Sequence, residues 1–122
     1  MIRVVIADDH PTMRAGLTQL LAGVPDLDVV AVAVDGAGAV AVVGEHAPDV
    51  VLMDVSMPGI DGIEATRQVL AARPGTRVVM LTSFAEHDRV LAALDAGAVG
   101  YLLKDAEPDE IVRGVRAAAS GE

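Results

Sequence analysis

Cysteine and tryptophan are absent from this chain, and Phe84 and Tyr101 are its only Phe and Tyr residues. Without cysteine there are no disulfides, thiolate metal sites or thiol nucleophiles, and nothing fixes the redox compartment beyond consistency with a reducing cytosol. So few rings argue against an aromatic ligand cage or a base-stacking platform. Basic charge is scarce as well: 9 Lys and Arg face 18 Asp and Glu, for a net charge of −9. Phosphate backbones are gripped by a basic face, so these residues are not read as binding nucleic acid. Long apolar runs are also missing. No segment approaches the roughly 20 apolar residues of a membrane span. The apolar start of the chain meets Asp8 and Asp9 too soon for a signal peptide. The expectation is a soluble, cytoplasmic domain without membrane contact.

What the chain does have is aliphatic bulk. With 52% hydrophobic residues in 122, one compact domain spanning 1–122 can build a real core. Five runs rich in β-branched residues, at 2–7, 29–34, 50–53, 78–81 and 99–103, read as strands buried on both faces, because most are continuous rather than alternating. Segments of helical period lie between them. Met13, Leu17, Leu20 and Leu21 form one apolar stripe, Val90, Leu91 and Leu94 a shorter one, and Ile111, Val112 and Val115 another. Asp61 and Glu64 have capping-box spacing, Pro108 suits a first helical turn, and the Ala/Val/Gly-rich stretch 36–45 reads as a helix. Five alternating βα units imply a parallel sheet covered by helices on both faces, a doubly wound α/β sandwich. Ligands of such folds bind at the carboxyl ends of the strands. The run of small residues at 117–122 reads as a helix end, as at a cut in a longer protein.

The residues just past the strands are Asp8 and Asp9, Asp54, Thr82 and Ser83, and Lys104. Any one of these acids alone is commonly a turn or cap residue; their joint placement at one sheet edge is what points to chemistry. Three crowded carboxylates repel one another unless a cation shares the site. A hard ion satisfied by few carboxylates, water and phosphate oxygens, Mg²⁺, fits this inventory better than Ca²⁺. Asp54 can then attack phosphorus as a nucleophile, with Lys104 and Thr82 neutralising the transferred group. His10 lies beside the acid pair, but imidazole is a poor partner for Mg²⁺, so it reads as a loop or helix-cap residue. His46 and His87 read as surface residues.

Asp8-Asp9 after the first strand resembles the opening of a bacterial response-regulator receiver domain. The resemblance continues through Val51-Leu52-Met53-Asp54-Val55-Ser56-Met57-Pro58-Gly59-Ile60-Asp61-Gly62, Leu81-Thr82-Ser83 and Gly100-Tyr101-Leu102-Leu103-Lys104, and it covers the whole chain. Asp8-Asp9-His10-Pro11 and Leu102-Leu103-Lys104-Asp105 look most like the NarL/FixJ group, whose members usually carry a C-terminal helix-turn-helix domain. The resemblance implies a flavodoxin-like (βα)5 sandwich with strand order 2-1-3-4-5, and a phosphoacceptor domain rather than an enzyme. It implies phosphorylation of Asp54 by a sensor histidine kinase, and Mg²⁺ held by Asp9, Asp54 and the Ser56 carbonyl, with Asp8 acting through water. Lys104 would pair with the phosphoryl group, while Thr82 and Tyr101 would switch a homodimerisation face built by helix four, strand five and helix five. Ser56 and Phe84 would border the phosphoryl group, and DNA would be reached only through a C-terminal domain.

One departure stands out. The family commonly follows its lysine with a cis proline, whereas Asp105 follows Lys104 here, and a non-proline cis bond costs about 2.5–4 kcal/mol. Trans and strained cis geometries both stay open at this stage. Three other readings are weaker. A haloacid-dehalogenase-like phosphatase places its nucleophile on the first strand with an acid two residues later. A flavodoxin-like nucleotide or flavin binder needs a Gly/Ser/Thr-rich anion cradle where this chain has Asp8-Asp9-His10-Pro11. A pseudo-receiver has no need of the complete acid, hydroxyl and lysine set.

Overall fold

The computed structural model describes residues 1–121, and Glu122 of the expected helix end lies outside them. The elements run β1 (Ile2–Ala7), α1 (Pro11–Ala22), β2 (Leu27–Ala33), α2 (Gly36–His46), β3 (Val50–Asp54), α3 (Gly62–Ala72), β4 (Arg77–Thr82), a 3-10 segment (Phe84–Arg89) leading into α4 (Val90–Asp95), β5 (Gly100–Leu103) and α5 (Pro108–Ser120). All strand pairs are parallel and the sheet order is β2-β1-β3-β4-β5. The expected doubly wound sandwich is therefore the fold. Among the described residues no helix is long and apolar enough to cross a membrane.

The pleat of the sheet divides the core in two. Val5, Ala7, Val51, Met53, Val78 and Met80 pack with Val43, Ile63, Val69 and Ala93, so they face α2, α3 and α4. Val4, Ile6, Val50, Leu52, Val79 and Leu81 pack with Leu17, Leu21, Ile111, Val112 and Val115, so they face α1 and α5. Successive strand residues point to opposite faces, and both faces are dry here, which is why the central strands are continuous apolar runs. The flanking strands β2 and β5 are only partly buried, contrary to the expectation that all five are buried on both faces. Each is paired along one edge alone. β2 also begins two residues earlier than expected, and its register with β1 shifts between Val4 and Val5.

Local chemistry places the helices. Asp35 caps α2 by accepting from the Gly38 amide at 2.7 Å. Asp61 caps α3 by accepting from the Glu64 amide at 2.9 Å, but Glu64 does not return the bond, pairing instead with Arg67 and Gln68. Pro108 opens α5 as expected. The stripe expected on α4 is buried only at Val90, whereas Leu91 is 75% and Leu94 39% exposed. Here α4 has only six residues after the 3-10 segment, and Val90 and Ala93 are its buried positions.

The loop after β3 folds back sharply at Gly62, whose amide donates to the Val55 carbonyl at 2.8 Å. A Cβ at Gly62 would lie 2.0 Å from the Asp54 carbonyl oxygen. Glycine is therefore what lets α3 start against the end of β3. Gly62→Ala is expected to destabilise the domain by about 2–3 kcal/mol, measured by urea unfolding. Gly16→Ala in α1, where nothing lies within 4 Å of the added methyl, should stabilise by about 0.5–1 kcal/mol. Equal effects of the two substitutions would refute the close-approach account.

Candidate functional site

The carboxyl ends of β1, β3, β4 and β5 converge on one cleft. Asp54, the last residue of β3, and Asp8, just after β1, are fully buried, and Thr82 closes β4, also buried. Lys104 follows β5, and its amide donates to the Thr82 carbonyl at 2.8 Å, extending the β4–β5 ladder by one bond. That bond delivers the lysine side chain to the acids: Nζ donates to Asp54 Oδ2 at 2.9 Å and lies 3.6 Å from Asp8 Oδ2. No cis peptide occurs among the described residues, so Lys104 reaches the acids across a trans Lys104-Asp105 bond.

His10 holds the N-cap position of α1, as expected, but its side chain makes no capping bond. The ring turns into the acids instead, with Nδ1 at 3.1 Å from Asp8 Oδ1, 3.2 Å from Asp9 Oδ1 and 3.8 Å from Asp54 Oδ2. Ligand atoms of Asp8, Asp9, His10 and Asp54 all lie within 4.8 Å of one another. Asp8 Oδ2 and Asp9 Oδ1 are buried without a hydrogen-bond partner, as is the Thr82 hydroxyl. Buried acceptors of this kind are costly unless something satisfies them. Hard oxygen donors with unused lone pairs suit Mg²⁺, so the residues fit the ion that the sequence implies.

Burial pushes Asp54 up to about 6, with Asp8 adding to the rise and the Lys104 hydrogen bond only partly offsetting it. Burial also works against the charge of Lys104, but Asp54, Asp8 and Glu86 outweigh it and hold the lysine above its ordinary value.

A cleft of about 530 Å³ opens here, lined by His10, Met13, Asp54, Ser56, Ser83, Glu86 and Lys104. Ser56 borders it as expected, with its amide donating to Asp54 Oδ1 at 3.3 Å. Phe84 does not border it, which corrects the expectation: this ring is 86% exposed and stacks on His87 with centroids 6.5 Å apart. The wall is supplied by its neighbours Ser83 and Glu86, because the 3-10 segment turns Phe84 outward. Tyr101 is also outward, 43% exposed and edge-on to His87 at 6.4 Å. Glu86 was missed in the sequence reading, although Ser83-x-x-Glu86 directly after a strand end carries the capping-box pattern that could have found it.

A family model for the response regulator receiver domain matches residues 4–116. Over 122 residues the chain is 44% identical to the transcriptional regulatory protein LiaR of Bacillus subtilis, covering 100% of this chain and 58% of that protein. It is 42% identical to the response regulator UvrY of Escherichia coli, covering 100% of this chain and 56% of the relative. The chain thus spans little more than half the length of these relatives. Among solved structures, the signal receiver domain of a NarL response regulator from Mycobacterium tuberculosis superposes with a TM-score of 0.94 at 40% identity, covering 99% of this chain and 98% of that one.

The folded pocket holds the Asp54 proton more tightly than the unfolded chain does. This contribution to stability is fully present below 3.8, the ordinary value, and lost as the pH rises through about 6. Without metal, Asp54→Asn should therefore raise the melting temperature near pH 7.5, by roughly 2–6 °C, and the gain should shrink toward pH 5. Calorimetry in a chelator checks this, and a variant less stable than wild type at neutral pH would contradict it.

Proposed function

The chain belongs to the response regulator receiver family, and on that premise we propose that Asp54 accepts a phosphoryl group from the phosphohistidine of a sensor kinase. The observation that carries this reading is a fully buried carboxylate, paired with Lys104 at 2.9 Å, beside two further acids with unsatisfied oxygens. An Asp54 oxygen forms a bond to phosphorus as the P–N bond breaks. The electron pair of that bond returns to the ring nitrogen, which takes a proton from solvent so that neutral imidazole leaves. Asp9, Asp54 and the Ser56 backbone carbonyl would hold Mg²⁺, with Asp8 acting through water. When bound, the ion supplies positive charge for the phosphoryl oxygens. Lys104 exchanges its carboxylate partner for a phosphoryl oxygen. An Asp54 held near 6 is partly protonated at mildly acidic pH, so cation binding favours the ionised nucleophile.

The Thr82 hydroxyl, buried and free of partners, donates to the new phosphoryl group. Its movement makes room for Tyr101 to turn inward from its exposed position beside His87. The surface of α4, β5 and α5 changes shape with it and favours a homodimer. Leu91, Leu94, Val99 and Tyr101 are exposed large apolar residues on or between these elements, and Phe84 adds another in the 3-10 segment just before α4; apolar patches of this kind are natural association surfaces. In the full-length protein, a C-terminal DNA-binding domain in the cytoplasm would read out that dimer and regulate transcription. The domain is thus a switch that assists its own phosphorylation and dephosphorylation rather than an enzyme acting on a separate substrate.

Incubation with Mg²⁺ and acetyl phosphate should add one phosphoryl group by intact mass to wild type and none to Asp54→Asn. Equal labelling of the two would end this reading. Beryllofluoride with Mg²⁺ should raise the sedimentation coefficient to that of a dimer. Tyr101→Ala should weaken this dimer, and a sedimentation profile indifferent to beryllofluoride would remove the dimer from the scheme.

A further inference from the structure

Glu86 lines the cleft without taking part in the metal or phosphoryl chemistry outlined above. Its Oε1 accepts from the Ser83 amide at 3.1 Å and the Ser83 hydroxyl at 3.0 Å, while Oε2 takes the Ser56 hydroxyl. The carboxylate thus bridges the residue after β4 and the residue two beyond Asp54. Arg89 braces the same bridge, donating to Ser56 Oγ at 3.4 Å and pairing with Asp61 at the start of α3. Burial opposes the charge on Glu86, but donors from Ser56 and Ser83 outweigh it and hold the carboxyl below its ordinary range. Glu86 is therefore an anion at neutral pH, near enough to Lys104 to affect its proton affinity. It adds a second carboxylate to a cleft lining that already holds Asp54, which is itself clustered with Asp8 and Asp9.

We propose that Glu86 is a specificity-determining residue, an anionic latch between Ser83 and Ser56 that restricts phosphoryl uptake from small dianionic donors. The proposal rests on the reading of Asp54 as phosphoacceptor. An anionic donor entering the cleft meets this carboxylate on its Ser56–Ser83 rim. Like charges in a cleft lower the local concentration of the incoming ion and slow its arrival. The latch must also release the Ser56 hydroxyl before the group beside it can be seated. With acetyl phosphate, an Asp54 oxygen bonds to phosphorus as the bond from phosphorus to the acetate oxygen breaks, and acetate leaves with the electron pair. Glu86 takes no part in that exchange and acts on the approach.

The test compares initial rates of Asp54 phosphorylation in wild type and Glu86→Gln with saturating Mg²⁺, using acetyl phosphate and the less charged phosphoramidate. Glutamine keeps the size of the side chain and most of its hydrogen bonds, and the site is only half-buried, so the fold is retained. At low ionic strength the variant should react at least about threefold faster with acetyl phosphate. The gain should be smaller with phosphoramidate, and should largely vanish near 0.5 M salt, where the screening length falls to roughly 4 Å. An unchanged or slower rate overturns the proposal, as does a gain that is equal for both donors and insensitive to salt, which would mark a purely steric role. If neither protein gains a phosphoryl group, the reading of Asp54 itself fails, and this proposal with it.

Discussion

Everything at the functional edge of this molecule follows from one conflict, the burial of the Asp54 carboxylate next to two other acids. Charge is expensive in a poorly solvated site, and Asp8 makes it more so. The fold meets that cost in part with Lys104, whose ammonium donates to Asp54 at 2.9 Å. Oxygens on Asp8 and Asp9 still lack hydrogen-bond partners. The residual strain is electrostatic, and it is of the kind that a divalent cation and then a phosphoryl group can relieve. A site built to be comfortable without them would have little reason to respond when they arrive.

The chain that leaves this pocket also reaches the surface. Thr82 ends β4 inside the pocket, and within a few residues the chain supplies Ser83 and Glu86 to the cleft wall and Phe84 and His87 to the exterior. Tyr101 touches His87 from β5, only three residues before Lys104. One short segment therefore has an inner side facing Asp54 and an outer side facing solvent. Its 3-10 geometry and the six-residue α4 leave it less firmly packed than the central strands, whose residues are almost all fully buried. The segment beside Asp54 is thus the less tightly packed part of the site wall.

Much of this was legible in the order of residues. The three central strands announce themselves as continuous aliphatic runs because both their faces are dry, and the alternation with helical stripes leaves few topologies open. Asp8, Asp9, Asp54, Thr82 and Lys104 could be gathered on paper because a parallel sheet puts all its carboxyl ends on one edge. The errors have equally physical causes. The α4 stripe does mark a helix, but periodicity identifies an apolar face and not whether a neighbour covers it, and Leu91 is 75% exposed. Phe84 was misplaced because counting two residues past Thr82 assumes extended backbone, whereas the chain enters a 3-10 turn there.

The sequence by itself determined the fold class and the list of chemical groups at the strand ends, since strand and helix periods and the rule that parallel crossovers are right-handed depend only on local order and backbone sterics. Only the tertiary structure decided how those groups meet: that Lys104 reaches Asp54 across a trans peptide, that the His10 ring turns among the acids rather than capping its helix, and that Glu86 closes on Ser56 from 30 residues away. These are contacts between side chains distant in sequence, fixed by strand register and loop packing. No local pattern encodes the distance between the ends of two strands.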